Sequence, residues 1–438
     1  MKKNNFLLIL LVFLLFASNC ATVTGDFDSR DHTKPGDFSY KTYGKKEDRT
    51  ITITGYRGKS TDVNIPPQIR KVPVTAISRA AFRRKNLDSV IIPYGIISIG
   101  ASAFLSNNLT YIHIPYSVID IGDYAFADNK IADINFPESI IEIGDSAFAD
   151  NLLTDIEIPS SVTSLGRSVF RNNKLVRVYI PANISIIGNN VFSNNELNNV
   201  SIPAGITGIG ENAFSDNKLV NVSIPSSVTS IGRSAFENNQ LTSLTLPSSI
   251  RVIEQSVFRN NRLTGVNIPN GVVSIGKGAF QDNHQMTSVT IPPSVVEIGE
   301  SAFADNRIAY LTIPSSVRVV GDTAFYRNTL ISLIIEEGII SIGERAFEEN
   351  MLNSLNIPVS VETIGNFAFC NNQLESLTIR GPSQIGRFAF LNNRQIARIV
   401  IPSGVTLTRN EGFPDAFYSV FSANNETYER RDNQWIAR

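Results

Sequence analysis

Through most of this chain, short apolar–polar alternations closed by a proline return at a fixed distance of 22 residues. One copy reads Leu241-Thr-Ser-Leu244-Thr-Leu246-Pro247, and one unit earlier Val222 and Ile224 precede Pro225. Alternation over so few residues predicts a short strand with its apolar side chains on one face. The proline, lacking an N–H for the ladder, ends it. Thirteen of fifteen units carry that proline, Glu336 and Arg380 standing in the other two. Each strand is followed by an Ile-Gly pair and then an Ala-Phe. The phenylalanines run from Phe82 through Phe104, Phe126 and onward to Phe280 without a slip. One extra residue enters at His284–Gln285, after which the series resumes at Phe303 and continues to Phe390. Units of this size cannot bury an apolar face alone and must stack, so the pattern predicts a solenoid of about fifteen coils.

Equivalent apolar positions face one interior, so the phenylalanines from Phe82 to Phe390 are expected to form a continuous spine. The Ala-Phe segment is too short for a helix beyond a single turn. Glycine stands four residues before the phenylalanine in thirteen units, with Ser78 and Glu254 departing. This suits a bend at positive φ. Three residues after the phenylalanine comes asparagine, in fourteen consecutive units: Asn107, Asn129, Asn151, Asn173, Asn195, Asn217, Asn239 and on to Asn393, with Lys85 in the first unit. Such regularity points to amides that bond loop backbone groups coil after coil, the alternative being an exposed turn residue in left-handed geometry. On the first reading Asn239→Ala is destabilising, whereas Asn238 is expected to be nearly neutral.

The skeleton L-x-x-V-x-I-P-x-x-V-x-x-I-G-x-x-A-F-x-x-N resembles the leucine-rich repeats of the BspA-like, treponemal type, from Val63 to about Pro402. The run Ile51-Thr-Ile-Thr-Gly55-Tyr56, with Ile65-Pro66 and Val72-Pro-Val74, is similar to the amino-terminal cap of that family. The resemblance implies an arc-shaped leucine-rich-repeat solenoid with a parallel β-sheet on one side, a β-rich amino cap and a short carboxyl cap. It further implies a surface or secreted protein of adhesive type without shared catalytic residues.

The ends divide the chain further. Lys2 and Lys3 precede an apolar run over residues 6–17 and then Ala17-Ser18-Asn19-Cys20. Twelve apolar residues are too few to span a bilayer, and the layout is that of an export signal over residues 1–19. Cys20 resembles a lipoprotein acceptor, although Asn19 and Ala17 depart from the strict box and leave ordinary cleavage after Ala21 open. Residues 20–37 then read as a lipid-anchored polar tether, 38–75 as the amino cap, 76–413 as the repeat body and 414–438 as a carboxyl cap. In that last segment residues 414–421 are expected to form a short helix, and Trp435 to pack rather than bind.

Charged residues make up 18% of the chain and the net charge is −1, so no basic nucleic-acid track and no long-range steering are expected. His32, His113 and His284 lie on different units, and neither metal-ligand nor phosphate-loop spacing occurs, so no cofactor or metal is expected. Cys370 reads as a small buried side chain.

What remains is the outward face of the strands. In later units it is small and polar, as at Asn199/Ser201, Asn221/Ser223 and Ser243/Thr245. Near the amino end it carries Tyr111/His113, Asp133/Asn135, Asp155/Glu157 and Arg177/Tyr179 on four successive strands. A glycosidase built on Asp133, Asp155 and Glu157 is not expected, because an open sheet offers no water-poor site to raise a carboxyl pKa. An interaction patch anchored by Tyr111, Arg177 and Tyr179 is the favoured function, with a solvated strand face as the plain alternative. The chain thus reads as a non-enzymatic, monomeric lipoprotein of the outer membrane or cell surface that binds proteins or glycans of host or neighbouring cells. A periplasmic structural role without external ligand is the second reading.

Overall fold

The computed structural model describes residues 33–381, 384–401, 413, 427–431 and 434–437. Cys20, residues 414–421 and the side chain of Trp435 lie outside the described residues. A parallel solenoid of short strands runs through the body, with turns where sequence suggested turns and no α-helix among the described residues. Five strands cap its amino end: β1 (Phe38–Tyr43), β2 (Thr50–Tyr56), β3 (Asp62–Asn64), β4 (Gln68–Ile69) and β5 (Val72–Ile77). The β1–β2 hairpin closes the sheet edge and β5 hands the register to the first coil at Ser98–Ile99. At the other end Arg398–Val400 pairs antiparallel with Thr427–Arg431, which folds back on Gln434–Ala437 and buries Tyr428.

The phenylalanine spine is real and longer than the sequence reading gave. From Phe82 to Phe390 the rings lie parallel, 4.9 to 6.1 Å apart between centroids. Phe413 continues the stack beyond Phe390 at 5.2 Å, after a spacing of 23 residues that hid it. At the other end Phe38 and Tyr56 pack on Phe82 as an aromatic lid. The widest gaps flank Phe170, at 6.1 and 6.0 Å. There Phe136, standing where neighbouring coils have isoleucine, sets its ring edge-on to Phe148 and Phe170.

The Ile-Gly segments correct the expectation placed on them. They are not bends at positive φ; they form a second parallel ladder, as in Ser98–Ile99, Asp120–Ile121 and Glu142–Ile143. Glycine is required because the coils touch: a Cβ on Gly144 would sit 2.6 Å from the Asp123 amide nitrogen, and one on Gly166 2.5 Å from that of Asp145. The ladder breaks in two places, between Ser164–Leu165 and Ile186–Ile187 and between Ser230–Ile231 and Val252–Ile253, and at the second a depression of about 330 Å³ opens beside Glu211, Arg233 and Glu254.

Positive φ is found elsewhere, at the residues two before and two after each phenylalanine, such as Tyr124 and Asp128 around Phe126. Alternating handedness turns successive amides along the solenoid axis. Tyr124, Phe126 and Asp128 donate to the carbonyls of Asp145, Ala147 and Ala149 in the next coil at 2.8, 2.8 and 3.0 Å. Ser, Asn and Asp dominate these positions because short polar side chains tolerate left-handed backbone best.

The ladder asparagine is a different residue from the left-handed one beside it. Asn239 is buried; its Oδ1 accepts the Leu219 amide at 3.0 Å, and its Nδ2 donates to the carbonyls of Phe214 and Phe236 at 2.9 and 3.2 Å. The same pattern holds from Asn107, which accepts from Lys85 and Leu87 and donates to Phe82 and Phe104, to Asn393, with Asn328 donating to Phe303 and Tyr326 instead of its own Phe325. It fails at one buried oxygen. Because of the residue added at His284–Gln285, the Met286 amide turns to the Asn283 carbonyl, and Oδ1 of Asn306 has no protein partner.

Candidate functional surface

The strands Tyr111–His113, Asp133–Asn135, Asp155–Glu157 and Arg177–Tyr179 lie side by side and send their outer residues to solvent. Asp133 stands opposite Tyr111 and Asn135 opposite His113; Asp155 stands opposite Arg177 and Glu157 opposite Tyr179. The candidates therefore form two columns: Tyr111, Asp133, Asp155, Arg177 and His113, Asn135, Glu157, Tyr179. Tyr111 and Tyr179 are 54% and 61% exposed, large for aromatic side chains. Arg177 Nε meets Asp155 Oδ1 at 2.8 Å, which fixes one edge of the patch and occupies one of its acids. With both partners exposed, the pair adds little stability. Asp133 and Glu157 remain open to solvent on their strands.

Sequence reading missed part of this surface. Tyr94 and Tyr116, 75% and 74% exposed, extend it toward the cap, and Ile91 lies bare beside them on the preceding strand. Their signal was present: both tyrosines follow the strand-ending prolines Pro93 and Pro115, where later coils carry Glu138, Ser160, Ala182 or Ala204. Farther along, Tyr310 and Ile334 are exposed singly among serine and threonine.

Between residues 120 and 157 ten carboxylates accompany one lysine, Lys130. The crowding shows at Asp120, whose pKa is raised by partial desolvation in the second ladder and by the charges of Glu142 and Asp123. A carboxylate with a raised folded-state pKa binds its proton more tightly when folded, so stability is gained as pH falls through that pKa. At neutral pH the repulsion is fully present. Asp120→Asn should therefore raise the melting free energy at pH 7 by about 0.5 kcal/mol or less, screened as surface charges are. The difference from wild type should shrink as the pH is lowered toward the ordinary aspartate range. A gap that stays constant with pH, measured by thermal melts, would assign the effect to packing instead.

Cys370, beside Phe369, is buried as expected, and burial with the nearby Glu348 carboxyl pushes its thiol up to about 11. No group of three or more His, Cys, Asp or Glu placed to hold a metal occurs among the described residues. Nor is any helix among them long and apolar enough to cross a membrane.

The 22-residue register finds its match outside this chain. Residues 75–198, 185–309 and 296–418 each match the BspA type leucine rich repeat region, six copies at a time. The chain belongs to the BspA-type leucine-rich repeat family. Solved structures share the fold: a leucine-rich repeat protein from Bacteroides ovatus superposes with a TM-score of 0.66 at 24% identity, over 85% of this chain and 96% of that one. Weaker likeness, at TM-scores of 0.44 and 0.37, links it to the pneumococcal vaccine antigen PcpA (18% identity, 76% and 92% of the two chains) and to a leucine rich cell surface protein of Faecalibacterium prausnitzii (23%, 70% and 96%). No functionally curated protein matches the sequence. BspA-type repeats are typically binding scaffolds rather than enzymes.

Proposed function

We propose that this BspA-type protein is a surface-exposed, lipid-anchored adhesin, held through Cys20, that binds a protein or glycan of host or neighbouring cells. The observation that carries the reading is the contrast along one row of short strands, most of which pair two by two. Four coils present Tyr111, His113, Asp133, Asp155, Glu157, Arg177 and Tyr179 outward, while the coils after them present mainly serine, threonine and asparagine, with Tyr310, Ile334 and Arg398 as scattered exceptions. Rigid aromatic side chains flanked by charges are what partner surfaces use as anchors and as discriminators. Tyr116 on the first of these coils and Tyr94 on the coil before it, both past the strand-ending proline, add exposed aromatic surface at the end nearer the cap.

The test compares wild type with Tyr111→Ala/Arg177→Ala/Tyr179→Ala for binding to matrix proteins and host cells. Solvent-exposed anchors contribute to binding and little to folding, so melts should match while binding falls by about tenfold or more. Equal binding by the two proteins would move the site off these strands. Absence of binding by both, with survival of the protein on protease-treated intact cells, would favour the periplasmic structural role.

A further inference from the structure

The net charge of −1 conceals a strong polarity. Between residues 33 and 90 the chain carries thirteen Lys and Arg against five Asp and Glu, a local charge of +8; residues 91–438 carry 23 against 32, a charge of −9. The expectation of weak electrostatics drawn from the total therefore fails for the amino end taken by itself. The twelve whose side chains are described are all exposed, and none of these twelve is in an ion pair among the described residues. Arg70 and Lys71 crown the β4–β5 turn, and Arg79, Arg83, Arg84 and Lys85 crowd around Phe82, Lys85 standing where every later unit carries the ladder asparagine.

The position of the chain's entry gives this collar a direction. Thr33 is bonded to Asn64 of β3 through both its amide and its hydroxyl, at 3.1 and 2.9 Å, so the preceding residues leave from the cap. Residues 21–32 can reach no farther than about 40 Å even fully extended. Whatever holds the apolar run of residues 6–17 or an acylated Cys20 thus keeps the basic collar near it. Two to four coils farther on, the ten carboxylates of residues 120–157 would be pushed away from an anionic plane.

We infer that the amino-terminal cap is a footing for an anionic lipid surface, on which its arginines and lysines bind headgroup phosphates and stand the solenoid upright. This rests on the reading that the chain is attached to a membrane by its amino end. Guanidinium groups suit phosphate oxygens, being planar forks with several donors. Basic residues close to a charged leaflet act additively and only within about a Debye length, roughly 8 Å in physiological salt. The tether supplies that proximity, and the acidic coils supply the orientation.

The experiment uses Cys20→Ser protein, which has no acyl chain at that position, with phosphatidylcholine vesicles containing or lacking phosphatidylglycerol. Binding is expected only to the anionic vesicles and should decline as ionic strength rises. Arg70→Glu/Arg83→Glu/Arg84→Glu should weaken it on the order of a hundredfold, with an unchanged melt. Arg233→Glu/Arg251→Glu/Arg262→Glu, equal in charge change but far from the cap, should leave it intact. Equal binding to neutral and anionic vesicles, insensitivity to salt, or equal loss in both variants would overturn the inference. So would a salt-sensitive dimer that replaces vesicle binding, since the collar would then serve the acidic coils of a second copy. Palmitate labelling of the wild type reads the anchor separately, so either result can fail without the other.

Discussion

Phe214→Ala is expected to lower the unfolding free energy by about 3–5 kcal/mol, the usual range for emptying a fully buried phenylalanine site. The ring has no exposed surface and lies 5.5 Å from both Phe192 and Phe236. The gap should not close, because the flanking coils are held at fixed spacing by backbone bonds such as Phe192 to Ala213 and Phe214 to Ala235, each 2.9 Å. A solenoid is stabilised by neighbour contacts, so the loss should also loosen the coupling between the two halves and broaden the urea transition. A shift below about 1 kcal/mol would mean that the coils collapse onto the cavity after all.

Asn239→Ala should cost about 2–4 kcal/mol, since it leaves a buried amide and two buried carbonyls without partners, each worth roughly 1–3 kcal/mol before relaxation or water entry. The comparison residue must be chosen with care. Asn238, which sequence reading took as neutral, has φ 56° and links Asp216 to Asn260 through its side chain. Alanine there would add strain of about 1–2 kcal/mol; Asn238→Gly is the proper control. Denaturant melts in which Asn239→Ala and Asn238→Gly behave alike would refute the ladder.

Fold and register were legible because every coil repeats the same burial. One misread glycine would be ambiguous, but thirteen fixed the place of the contact even though its cause was taken to be conformation rather than crowding. Phe413 escaped because its spacing is 23, and the second ladder because two residues per coil give no alternation to detect. The candidate surface was legible as far as strand parity reaches. Tyr111 and Tyr179 follow from it, whereas Tyr94 and Tyr116 sit past the proline, where parity says nothing about direction. The cap's charge was hidden by a total that cancels it.

The unpaired oxygen of Asn306 sets a rule for how such a chain can change length. A single added residue, here at His284–Gln285, turns the Met286 amide back on its own coil and leaves the next asparagine one bond short. Adding or removing a whole coil does neither, since every amide then meets an equivalent acceptor one step along. Insertions and deletions separating this gene from its relatives should therefore come mostly in steps of 66 bases, the coding length of one 22-residue unit, and unequal crossing-over between units would make them in a single event.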